Sequence, residues 1–126
     1  MPYVYYNPNP RGLNTIDCVI RAVSKTFDID WDTAYLEIMN QGFMDKSVPT
    51  SDMVWGNYLM RKGFRRVPLP NTCPYCYTVA QFAVDHPNGV YVVKTYEHVI
   101  AVSNGNYYDS FDSGLEVPIY YWERSA

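Results

Sequence analysis

An α+β fold follows from three observations along the 126 residues. Apolar residues recur at helical spacing in the first half, short runs of β-formers crowd the last third, and an Asn104-Gly105 turn joins two of those runs. The predicted architecture is N-terminal helices followed by an antiparallel sheet. Length and apolar content suit one domain over 1–126 with a single core, and no repeat, low-complexity segment or linker divides it.

Residues 1–13 join a tyrosine run to Pro8, Pro10 and Gly12, which predicts an extended edge segment and then a turn. Asn14 or Thr15 is placed to cap a first helix whose Ile16, Val19, Ile20, Val23 and Phe27 fall on one buried face. Asp30 caps a second helix carrying Trp31, Ala34, Tyr35, Ile38 and Met39 and ending near Gly42. Thr50 or Ser51 opens a third, with Val54, Tyr58 and Leu59, closed by Gly63. Arg66 to Pro70 is extended, and Thr78 caps a short helix, Val79 to Asp85, that stops at His86-Pro87. The predicted strands are Val90 to Val93, His98 to Val102, Tyr107 to Asp109 and Val117 to Trp122.

Composition narrows the function classes. The formal charge is −3, and the close basic pairs Arg61-Lys62 and Arg65-Arg66 end and follow a helix, so nucleic acid is not the expected partner. The first residues carry no basic n-region or apolar h-region, and no run approaches the roughly 20 apolar residues of a membrane span. A soluble, cytoplasmic protein with no membrane contact is expected. Three cysteines cannot form a fully paired framework, which agrees with a reducing compartment. Thirteen tyrosines point to half-buried aromatic surfaces whose hydroxyls reach water.

Chemistry centres on Cys18. A cysteine in the first turn of a helix meets unpaired amide N–H groups and the positive end of the dipole, which stabilise a thiolate. Nucleophilic thiol catalysis further needs a base and a group that orients it. His98 is the candidate base. A two-residue turn at Asn104-Gly105 pairs Ser103 with Asn106 and hence Ile100 with Asp109, so alternation puts His98, Ile100, Asp109 and Phe111 on one face. Asp109 is then the diagonal neighbour of His98 at a Cα separation of roughly 7–8 Å, within reach of two polar side chains. Asp112 is the fallback should a bulge shift the register. Asn14 either caps the helix or joins the Cys18 N–H in binding an oxyanion, and Asp17 supplies a charge at the helix N-terminus. His86 is explained by its helix end and is left out of the site. No cofactor or metal is called for.

Cys73-Pro74-Tyr75-Cys76 has the two-thiol spacing of a redox site and is identical to the motif of glutaredoxins. No buried strand leads into it, since Val67 to Thr72 contains two prolines, and a zinc site lacks two further ligands at usable spacing. Structural thiols in a loop, a redox couple and a shared metal site are its three readings.

The order of a cysteine opening a long helix, then a histidine and an aspartate on successive strands, resembles the papain-like cysteine-peptidase fold. The strings Asp17-Cys18-Val19-Ile20-Arg21-Ala22, Thr78-Val79-Ala80-Gln81-Phe82-Ala83, His98-Val99-Ile100-Ala101-Val102 and Tyr107-Tyr108-Asp109-Ser110 are similar to small papain-like proteins of bacteria and their phages, akin to bacteriocin-processing peptidases. That resemblance implies Cys18 as nucleophile, His98 as general base and acid, and Asp109 as third residue. It departs at Gly12, where papain-like enzymes commonly carry an oxyanion-binding glutamine. Three functions follow as expectations: a cysteine hydrolase acting on a peptide or isopeptide bond of a peptide or protein substrate, an inactive papain-like module binding a host factor for a phage, and thiol–disulfide exchange at Cys73 and Cys76.

Overall fold

The computed structural model describes residues 2–125. Its elements are β1 (Tyr3–Tyr5), α1 (Cys18–Phe27), α2 (Trp31–Asp45), α3 (Asp52–Arg61), β2 (Phe64–Pro68), α4 (Val79–Asp85), β3 (Val90–Lys94), β4 (Val99–Ser103), β5 (Asn106–Asp109) and β6 (Tyr120–Arg124). They form a mixed α+β fold with a sheet ordered β1-β5-β4-β3-β6-β2. Among the described residues, no helix is long and apolar enough to cross a membrane.

Period-two alternation distributes the sheet's side chains to two cores. Val92, Val99, Ala101 and Trp122 pack under α1, α2 and α3 with Val19, Val23, Ile38, Trp55 and Leu59. Val93, Ile100, Val102 and Tyr107 face the other way, onto Val79, Phe82 and Ala83 of α4. The β4–β5 hairpin has the expected register, Ser103 opposite Asn106, because Asn104 (φ 50) and Gly105 (φ 85) both take the left-handed backbone a tight hairpin turn needs. Thr78 caps α4 in a reciprocal capping box with Gln81.

Several features differ from expectation, among them β2, which covers Phe64–Pro68 and not Arg66 to Pro70, and β4, which starts at Val99 and leaves His98 just outside the strand. The sheet is not wholly antiparallel: the N-terminal edge strand β1 runs parallel to β5, Tyr5 opposite Asp109. α1 begins at Cys18, not after Asn14 or Thr15, so Ile16 lies outside the helix and is exposed. α2 continues past Gly42 to a left-handed Lys46. Gly42 serves close packing there, since a Cβ would lie 2.9 Å from the Ser47 carbonyl oxygen. β6 starts at Tyr120, not Val117, because Pro118 has no N–H to give a ladder, and Ile119 instead donates to Lys94 O and accepts from Leu69 N.

Candidate active site

Asp17 occupies the N-cap of α1, accepting the first intrahelical bond from Arg21 N at 2.8 Å, so Cys18 is the first helical residue. Its amide and the next two have no carbonyl partner within the helix. Cys18 is half-buried and is the free cysteine of the described residues. His98 sits immediately before β4 on a braced turn: Thr95 N donates to His98 O at 2.9 Å, and the Lys94 ammonium donates to the carbonyls of Thr95 and Tyr96 at 2.8 and 2.9 Å. Thr95 Oγ1 also donates to Glu116 Oε1 at 2.7 Å, tying this turn to the loop after β5.

Asp109 closes β5 and is 0 % exposed. Its Oδ2 lies 2.6 Å from His98 Nε2 and accepts from Ser113 Oγ at 2.7 Å. Its Oδ1 accepts from Ser110 N at 2.8 Å and from Arg21 Nη1 at 3.1 Å. Every partner of this carboxyl is a donor, which is how a buried acid is accommodated. With Nε2 committed to Asp109, Nδ1 is the ring nitrogen left for the Cys18 sulfur.

The electrostatics favour a charged pair. Burial pushes the Cys18 thiol up, but hydrogen bonding to His98, the His98 charge, a backbone hydrogen bond from Val99 and the Arg21 charge outweigh it, leaving the thiol below its ordinary value. Burial lowers His98, yet hydrogen bonds to Asp109 and Cys18 and the charges of both push it up to about 9. Both shifts act in the same sense, favouring a thiolate beside an imidazolium.

Behind the pair lies a buried chain of alternating sign. Arg21 bridges Asp109 and Asp17, the latter through Nη2 to Oδ1 at 2.6 Å, and Trp31 Nε1 from α2 donates to Asp17 Oδ2 at 2.9 Å. Arg21 and Asp17 are both buried. Asp17 is therefore an internal counter-ion and not a surface charge, and its use in this network explains why it gives no side-chain cap to α1.

Of the expected residues, His98 and Asp109 are hydrogen-bonded, and Cys18 lines the same cavity as His98. Asp112 is not at the histidine: it accepts from Tyr107 Oη and, at 3.0 Å, from Gly114 N, because the hairpin has no bulge to shift the register. Asn14 does not cap α1 and lines the cavity beside Cys18. His86 is elsewhere, stacked on Phe82 with Nδ1 donating to Phe82 O at 2.7 Å. Cys73 and Cys76 are joined in a disulfide instead of remaining free thiols, as the Thr72 O to Tyr75 N turn at 3.0 Å folds their side chains together. Arg21 and Ser113 complete the site without having been expected there. The i, i+4 spacing of Asp17 and Arg21 is a signal that could have found the first; Ser113 carries none.

No protein family, curated protein or solved structure matches the chain. Its site is read from its own chemistry.

Proposed function

We propose that the chain is a papain-like cysteine hydrolase that cleaves a peptide or isopeptide bond. The observation that carries this reading is the His98 ring held at 2.6 Å by a buried Asp109 in the wall of the cavity that Cys18, at the head of α1, also lines. The Cys18 thiolate attacks the carbonyl carbon, and the oxyanion is met by the Cys18 N–H and the Asn14 side-chain amide. His98 then gives its Nδ1 proton to the leaving amine, the C–N bond breaks, and a thioester remains. Water attacks that thioester as His98 takes its proton, releasing the acid and restoring the thiolate–imidazolium pair. An amine in place of water gives acyl transfer with the same groups.

The test is limiting iodoacetamide on the folded protein, with adducts mapped by mass spectrometry. Cys18 should be modified rapidly near neutral pH, and His98→Ala should remove that rapid reaction. A Cys18 that stays unreactive in the native protein would sink the proposal.

Gly12 favours a second reading, a non-catalytic module on this framework that binds a host factor for a phage. It stands where a papain-like oxyanion glutamine would be, and its φ of 66 is strained for any L side chain. On that reading a folded Cys18→Ala protein keeps its biological activity; loss of activity in that variant excludes it.

A further inference from the structure

Two cavities of about 490 Å³ each meet at the candidate site, sharing Glu97, His98 and Phe111 in their walls. One holds Cys18 and is bounded by Ile16. Beyond His98, the other is bounded by Tyr96, Leu115 and Glu116. Ile16, Leu115 and Tyr96 are 94, 88 and 83 % exposed, and Phe111 lies against the His98 ring with centroids 5.1 Å apart. Large apolar side chains left in water along one groove that crosses a thiol–imidazole pair mark a contact surface, not a core. The backbone under Tyr96 is not loose, since the Lys94 ammonium holds the Thr95 and Tyr96 carbonyls, so the aromatic is presented at low ordering cost.

Charge selects among apolar ligands. Glu97 is exposed and forms no ion pair among the described residues, and Glu116 stands on the same wall. The second cavity is lined by no lysine or arginine, and the arginine of the first, Arg21, is buried and bound to Asp17 and Asp109. The rim field is therefore negative and draws cations. The position of His98 gives the groove a direction. A leaving amine must lie against the ring that protonates it, so the cavity on the far side of His98 receives the leaving segment and the Cys18 cavity the acyl segment.

We infer that the groove takes an extended polypeptide in which bulky apolar residues alternate with lysine or arginine, the apolar side chains lying against Phe111, Leu115 and Tyr96 and a cation facing Glu97. This inference rests on Cys18 being the reactive centre proposed above. Short blocked peptides test it by protecting Cys18: iodoacetamide adducts at Cys18 are timed with and without alternating Leu/Lys, Leu/Glu or Ser/Lys peptides, and the ratio of rates is taken within each protein. The Leu/Lys peptide should slow alkylation several-fold, or be cleaved in the same spectra, while the other two do neither. Glu97→Lys should transfer protection to the Leu/Glu peptide, and joint Tyr96→Ser and Leu115→Ser should abolish it. Rapid alkylation of Cys18 that no peptide alters, or that all alter equally, overturns the substrate class and leaves the thiol reading intact. A Cys18 unreactive without any peptide overturns both.

Discussion

Cys18 and the Cys73–Cys76 pair are the same residue type in opposite surroundings. Cys18 opens a ten-residue helix, sits half-buried beside His98, and has Arg21, Asp109 and Asp17 arrayed behind that histidine. Cys73 and Cys76 lie in the loop between β2 and α4 next to Tyr75, which is 90 % exposed; their sulfurs are bonded to each other and share no cavity with Cys18. The two-thiol spacing is the more recognisable motif, yet the lone cysteine has the polar neighbours that chemistry needs. Reactivity is a property of the surrounding charges and amides, and spacing along the chain reports it poorly.

The largest effect that would break the contrast comes from Asp109. Asp109→Ala removes the acceptor shared by Arg21, His98, Ser113 and the Ser110 amide, leaves the guanidinium buried with one partner, and should cost about 3–5 kcal/mol of stability in urea unfolding. The remaining folded protein should show no rapid alkylation at Cys18. A variant of unchanged stability would mean that Asp109 is not the hub of the site.

Reducing the Cys73–Cys76 bond should cost less, about 2 kcal/mol, because its short closed loop removes little entropy from the unfolded chain. Urea melts with and without reductant measure it. The rate of Cys18 alkylation should not change, and a change would couple the two thiol regions.

Proton linkage sharpens the comparison further. His98 is raised from 6.5 to about 9, so its stabilisation is fully present below pH 6.5 and is lost as pH rises through about 9. Cys18 is lowered from 9.0, so its stabilisation is present above that value and is lost as pH falls through the lowered one. The reactive pair exists between them. Cys18 alkylation should therefore rise at a pH below the ordinary 9.0, and hydrolysis should fall again near 9 as the imidazolium loses its proton. A single rise at 9 would show an ordinary thiol.

The smallest effect isolates Asp17. In Asp17→Asn, Arg21 keeps one anionic partner and its charge falls more fully on Asp109, whose hold on the imidazolium weakens. The alkaline limb of the activity profile should move toward neutral pH while the helix remains intact by circular dichroism. An unmoved limb would make Asp17 only a structural counter-ion.

Much of this molecule was legible along the chain, and the legible part is local. The four helices, the Asn104-Gly105 hairpin and the choice of Asp109 over Asp112 follow from apolar spacing, capping residues and turn chemistry, all of which act over a few residues. The hairpin register brings Asp109 at the end of β5 close to the start of β4, and the braced turn before β4 carries His98 to it. Where the reading failed, a longer-range demand had overridden a local signal: Asp17 took the N-cap from Asn14 and Thr15 because Arg21 and Trp31 hold it, and Gly42 was small for packing instead of helix termination. Only the tertiary structure decided that Arg21 reaches a carboxylate 88 residues away, that Ser113 folds back onto the same oxygen as His98, and that β1 runs parallel to β5. The first two depend on which charges can be buried together without leaving one unpaired, and the third on which edge the returning chain leaves open, conditions that no single stretch of sequence carries.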